Sequence, residues 1–218
     1  VVRALRNLAI FLLVVLALGV VLDIGSRRLL ENRVEAEIEA ADSQIDVGNV
    51  EADIGSFPFV PGLATQGEVN HLSLRLEDLV TPGVTFAVLQ LTVDGLSFDR
   101  TVLFNAQVQV QQIDRATVKA EITEEAASEA VGVPVTFTPG TATVEVAGQA
   151  RPATVALDGN GDLTLAAQGV GQLIIPISES DYFPCTPDVT VKQGKVVIRC
   201  SSRRIPPALR PYLGGGVG

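Results

Sequence analysis

The chain offers little with which to do covalent chemistry. It has one histidine, His71, and two cysteines, Cys185 and Cys200. His71 opens the stretch His71-Leu72-Ser73-Leu74-Arg75-Leu76-Glu77, where leucines alternate with polar residues. That period of two is a strand with one apolar face, and it makes His71 an exposed strand residue. No Gly-x-Ser-x-Gly elbow, no Gly-x-Gly-x-x-Gly after a strand and no P-loop occurs. An enzyme needs a nucleophile, a base or a metal brought together, so catalysis is not expected. Asp158-Gly159-Asn160-Gly161-Asp162 imitates the start of a calcium loop. Its sixth and twelfth positions are Leu163 and Gly169 where glycine and glutamate belong, so it reads as a hairpin turn. Neither a metal nor another cofactor is expected.

Two other groups could bind rather than react. Arg199, Arg203 and Arg204 lie close together near the end of an acidic chain. Guanidinium forks hold phosphate in a bidentate way, so this patch is either an anionic lipid headgroup site or a solvated tail. Phe57, Phe59, Val60 and Leu63 lie in Phe57-Pro58-Phe59-Val60-Pro61-Gly62-Leu63, a compact apolar corner. Its prolines bias Phe57 and Val60 away from helix. These four are either core or the rim of an opening that touches acyl chain or membrane.

The elements that must position these residues change character at that corner. Upstream, Arg3 and Arg6 precede an apolar run from Leu8 to Leu22. Fifteen helical residues span about 22 Å, short of a hydrocarbon core of about 30 Å. Residues 1–28 therefore read as a signal peptide or signal anchor, and the remainder as extracytoplasmic, either membrane-anchored or secreted. From Leu29 to Ala41, Leu30, Val34, Ile38 and Ala41 share one face of an amphipathic helix. Gln44 to Asp53 suggests a strand with a bulge near Gly48.

Downstream the chain is nearly all strands. Thr81-Pro82-Gly83 and Asp94-Gly95 read as turns. The alternation changes phase at Val88-Leu89, which suggests a bulge. Strands are expected over Val102 to Val110 and Ala116 to Ile122. Thr123 looks like the N-cap of a short helix, Glu124 to Val131, ended by Gly132 and Pro134. Further strands are expected at Val133 to Phe137, Ala142 to Val146, Ala153 to Leu157, Leu163 to Ala167 and Leu173 to Ile177. The fold class expected is α+β: a long curved antiparallel β-sheet wrapped on one long amphipathic helix and one short helix. A single domain is expected over 29–213, with a disordered tail at 214–218.

Val189 and Val191, then Gln193-Gly194, then Val196 and Ile198, read as a hairpin with Cys185 and Cys200 at its open ends. Export to an oxidising compartment favours a disulfide; the alternative is two buried thiols. A net charge of −9 argues against a general nucleic-acid binder. With 47% hydrophobic but only 5% aromatic residues, a large apolar surface is built from Val, Leu, Ile and Ala.

These features together resemble the LmeA-like family of actinobacterial cell-envelope proteins. The residues that carry the resemblance are the N-terminal hydrophobic segment, the amphipathic helix Leu29 to Ala41, Gly55-Ser56-Phe57-Pro58-Phe59, and the strand Val69-Asn70-His71-Leu72-Ser73-Leu74. The run Val144 to Leu165 and the Phe183-Pro184-Cys185 to Cys200 hairpin add to it. The resemblance implies a phospholipid-binding protein of the periplasmic space, linked in mycobacteria to elongation of lipomannan. It implies a fold related to the tubular lipid-binding domains. The expected partners are an anionic phospholipid, with a phosphatidylinositol-type headgroup as the finer expectation, and a membrane surface. The alternative is a membrane-anchored structural or scaffolding subunit of an envelope assembly with no bound lipid.

Overall fold

The computed structural model describes residues 47–55, 68–98, 110–177 and 182–204. The N-terminal apolar segment, the expected helix Leu29 to Ala41, the corner at 56–67 and most of the expected strand Val102 to Val110 lie outside those residues.

Seven strands form the first sheet: β1 (Asn49–Ile54), β2 (Glu68–Thr81), β3 (Val84–Phe98), β4 (Val110–Gln112), β5 (Arg115–Thr123), β11 (Asp188–Lys192) and β12 (Lys195–Ser202). Their order is β1-β2-β3-β5-β12-β11, with β4 paired to β3, and every pairing is antiparallel. The helix α1 (Glu124–Val131) then leads to a second antiparallel sheet. That sheet holds β6 (Val135–Thr138), β7 (Thr141–Val146), β8 (Gln149–Leu157), β9 (Leu163–Ala167) and β10 (Gly171–Ile175), in the order β10-β9-β8-β7-β6.

Two sheets replace the one long sheet expected. The ladder is broken where the chain turns through α1. Thr123 caps that helix by accepting the Ala126 N–H, and Gly132, at φ 71°, ends it with its N–H on the Ser128 carbonyl. Pro134 has no N–H to donate, and β6 begins at the next residue, while the Pro134 carbonyl accepts the Glu145 N–H. The helix then holds that sheet. The Glu124 carboxylate accepts the Phe137 N–H at 2.6 Å, and Ser128 Oγ accepts the Val135 N–H at 2.8 Å. Those two donors at the start of β6 are therefore satisfied without a strand partner.

Register explains why the first sheet has one apolar side. Val50, Leu76, Leu89, Ala120, Ile198 and Val189 form one transverse row across six strands, each facing the next. The neighbouring row runs Ala52, Leu74, Leu91, Val118, Cys200. One residue out of phase, the opposite side reads Glu51, Arg75, Gln90, Lys119, Arg199, Asp188. One side is thus apolar and the other charged, as alternation requires. The apolar rows and the second sheet's buried residues, among them Phe137, Leu163 and Leu165, join in one core.

Two irregularities correct the expectations for β2 and β3. The predicted turn at Asp94-Gly95 lies inside β3. Gly95 takes φ 63°, yet the ladder to β2 resumes with Leu96 facing Val69. The predicted bulge at Val88-Leu89 is not an inserted residue either. Phe86 faces Leu79 and Val88 faces Glu77, so the register is unchanged across the site. Instead Asp78, at φ 52°, and Ala87 drop out of the ladder together. Buried positions on β2 run Val69, then Leu74 and Leu76, then Leu79, changing parity at each irregularity. At each irregularity one strand carries a positive φ, Gly95 on β3 or Asp78 on β2, and the facing residue leaves the ladder with it, so one long hairpin buries positions that no single parity could.

Candidate functional site

At the end of the first sheet away from the Pro82-Gly83 turn, three strands place titratable residues in a row. His71 faces Asp94 and Asp94 faces Arg115. The last pair of β12 with β5 is Ser202 and Ala116, so Arg203 follows beside Arg115. Asp94, Gln112, Ile113, Asp114, Arg115 and Arg203 line a cavity of about 490 Å³ there. That volume suits a small polar group rather than a pair of acyl chains.

The acidic side of this cavity is held in place. His71 Nδ1 lies 2.7 Å from Asp94 Oδ1, both side chains being about half exposed. The Asp114 N–H donates to the carbonyls of Asp94 and Gly95 at 3.1 and 3.2 Å, which pins β5's approach to β3. Gly95 permits this closeness, because a Cβ there would stand 2.2 Å from Asp114 Oδ2. Gly55 plays a similar part for His71, whose ring would come 3.0 Å from an added Cβ. Ile113 is buried and belongs to the core, whereas Asp94 and Arg115 stand in phase with Gln90 and Lys119 on the sheet's charged side.

The charged side of the sheet carries one tight cluster further along. Glu121, largely buried, accepts from Lys119 at 2.6 Å and from Lys195 at 2.5 Å. Burial pushes its carboxyl up, and the two ammonium groups outweigh that, so it titrates below the ordinary carboxylate value. This cluster ties β5 to β12.

The expected site residues are distributed unevenly. Phe57, Phe59, Val60 and Leu63 lie outside the described residues. Arg199, Arg203 and Arg204 are all exposed. Arg199 stands mid-strand on the charged side, facing Lys119 and Asp188. Arg204 is exposed, its N–H donating to Ser202 Oγ. Only Arg203 reaches the cavity, and its companion is Arg115. Cys185 and Cys200 are joined by a disulfide, as expected, although Cys185 precedes β11 rather than facing Cys200 across it. His71 stands on its strand's polar side, but paired to Asp94. In the Asp158 turn, Asp158 Oδ1 accepts the N–H groups of Asn160 and Asp162, so the carboxylate serves the turn itself. Among the described residues no three His, Cys, Asp or Glu side chains are grouped as a metal site would need.

Sequence reasoning passed over Asp94, Asp114 and Arg115. Only a correct pairing of β2, β3 and β5 brings them together. The available signal was Ile113-Asp114-Arg115, a charged break between two apolar alternations.

A polar, arginine-bearing cavity at the end of a sheet with one broad apolar side suits an amphiphile. The family comparison decides the class: the model for LmeA-like phospholipid-binding proteins matches residues 21–207. The chain belongs to the LmeA-like phospholipid-binding family. The match takes in both sheets, α1, the disulfide and the cavity, so the LmeA-like family assignment covers the whole described structure. No curated protein and no solved structure matches the chain significantly.

Proposed function

We propose that this protein binds phospholipid outside the cytoplasm and supports the biogenesis of envelope lipid or lipoglycan, including lipomannan. The acyl chains lie along the apolar side of the first sheet, and the headgroup stays at the Arg115 and Arg203 cavity. The observation that carries this reading is the apolar side itself, which runs unbroken across six strands, in a sheet whose end also bears a cavity with two arginines. Burying a methylene is worth about 0.8 kcal/mol, so one long acyl chain contributes roughly 10 kcal/mol. Leu91, Val93, Ala116 and Val118 are already buried within the chain, so an entering acyl chain must displace what lies on them. The disulfide supports an oxidising compartment. An anionic headgroup, such as a phosphatidylinositol type, suits the two guanidinium groups, and a membrane surface supplies the lipid.

The test is native mass spectrometry of the full chain, produced with export and extracted gently, before and after incubation with phospholipid vesicles. A stoichiometric phospholipid adduct is expected. The rival reading, a membrane-anchored scaffolding subunit, is favoured by the closure of the core over its own apolar side. A clean protein mass after vesicle incubation would transfer the function to that reading.

A further inference from the structure

Two long stretches of this acidic chain carry no ionisable side chain: residues 79–93 and residues 163–178. The first contains the turn of the β2–β3 hairpin, and the second contains β9, β10 and the residues just after them. The fold brings their ends together. Gly83, in the hairpin turn, lies so close to Pro176 that a Cβ there would overlap the proline ring. Among the described residues, the large hydrophobic side chains left exposed are Val80 and Ile174, at 46% and 51%. Val80 shortly precedes Gly83, and Ile174 shortly precedes Pro176. Leu79, Ile175 and Ile177 beside them are fully buried, so alternation puts Val80 and Ile174 on the outer side.

From this we infer that the charge-free apex is where the protein meets a lipid bilayer, with Val80 and Ile174 entering the interface. The inference rests on the membrane-surface part of the reading above and names the surface used. Area favours a bilayer over a second copy of the chain. A stable protein interface takes about 800 Å² from each partner, and two half-exposed side chains beside Pro82 offer far less. A bilayer needs no complementary shape and accepts apolar side chains one by one. Charge agrees with area. The net charge of −9 sets most of the surface against an anionic membrane, whereas neither stretch brings a carboxylate to it. The anchors are also firmly mounted. Leu79, its ladder partner Phe86 and Ile175 are fully buried behind them, so docking orders little new structure. The Arg115 and Arg203 cavity lies at the other end of the sheet, away from the docked apex.

The chain has no tryptophan, so one introduced by substitution reports alone. The experiment uses the full chain carrying Val80→Trp, Ile174→Trp or, as a control on the exposed charged side of the first sheet, Glu51→Trp. Each protein is mixed with vesicles of phosphatidylcholine and phosphatidylglycerol in equal parts, with and without bromine on the acyl chains. Indole emission moves to the blue on leaving water and is quenched by bromine at near contact. Val80→Trp and Ile174→Trp are expected to shift to the blue and to lose most of their emission to brominated vesicles, and Glu51→Trp to do neither. A lipid carried on the inner, apolar side of the sheet does not touch reporters on the outer side. Unchanged emission from Val80→Trp and Ile174→Trp overturns the inference, and a lipid adduct on the same proteins would then leave lipid binding intact. Quenching without an adduct keeps the docking surface and removes the lipid-carrying reading. Equal quenching of Glu51→Trp overturns the location.

Val80→Asp in the Ile174→Trp protein tests whether the two elements act together. Losing the apolar contact of one half-exposed side chain weakens docking about fivefold, and a carboxylate at an anionic surface weakens it further. Quenching of the Ile174→Trp reporter is therefore expected to fall sharply. Quenching that Val80→Asp leaves unchanged overturns the shared apex. A blue shift that grows with protein concentration in the absence of vesicles overturns the bilayer as occupant and assigns the patch to a second copy of the chain. Both positions are half exposed, so these substitutions leave the core as it is.

Discussion

Replacing Gly95 with alanine tests the geometry on which the cavity depends. Two separate penalties act on this variant. Gly95 sits at φ 63°, where an alanine is disfavoured by about 1 kcal/mol. Its new Cβ would also meet Asp114, with Oδ2 at 2.2 Å, Cγ at 2.5 Å and Cβ at 2.8 Å. Rotating the carboxylate away clears the first two atoms but not the third, so the backbone of Asp114 must shift. Overpacking of this kind costs about 1–3 kcal/mol, which makes the total about 2–4 kcal/mol. Gly140→Ala is the control. It has φ 83° and nothing within 4 Å of its Cβ, so only the backbone penalty of about 1 kcal/mol applies. Urea denaturation of both variants measures the difference. Asp114→Ala combined with Gly95→Ala removes the two closest atoms and is expected to recover about half of the excess loss. If Gly95→Ala and Gly140→Ala agree within about 0.5 kcal/mol, Asp114 does not lie against Gly95 and the cavity has another shape.

Two further outcomes follow from the core and the charged side. Glu121 titrates below its ordinary value in the folded protein, so its stabilisation is complete above the unfolded carboxylate pKa and is lost as pH falls through the folded one. Glu121→Gln should therefore lower stability by about 1–3 kcal/mol at pH 7, with the difference shrinking toward pH 3 in denaturant titrations; a difference that is constant with pH would rule out the ion cluster as its source. The Cys185–Cys200 bond closes a loop of 15 residues, so the double serine variant should lose about 3 kcal/mol in urea midpoint analysis. A parent protein whose midpoint does not move on adding reductant would show that the disulfide contributes nothing.

Much of the fold was legible because it depends on near neighbours. The helix Glu124 to Val131 was found with its bounds because its signals are local: a threonine cap, two glutamates in the first turn and Gly132 at its end. The strand Leu163 to Ala167 and the hairpin around Gln193-Gly194 were readable for the same reason. The Asp94-Gly95 dipeptide shows the limit. It carries a turn signal, and Gly95 does adopt positive φ, but pairing with β2 on both sides carries the strand through. The division into two sheets was also hidden, because periodicity tells which side of a strand is apolar and not which strand it lies beside.

The sequence by itself determined the strand-rich character, the capped helix, the hairpin between the two cysteines and the family to which the chain belongs. Each rests on short-range pattern or on whole-chain resemblance. Only the tertiary structure brought Arg115, Asp94 and Asp114 to Arg203. Arg199 and Arg203 are four residues apart, but one stands mid-strand and the other lies past the strand's end. Arg203 and Arg115 are far apart in sequence and adjacent in space because β12 runs antiparallel to β5. Antiparallel pairing joins residues whose positions sum to a constant, and no local pattern fixes that constant.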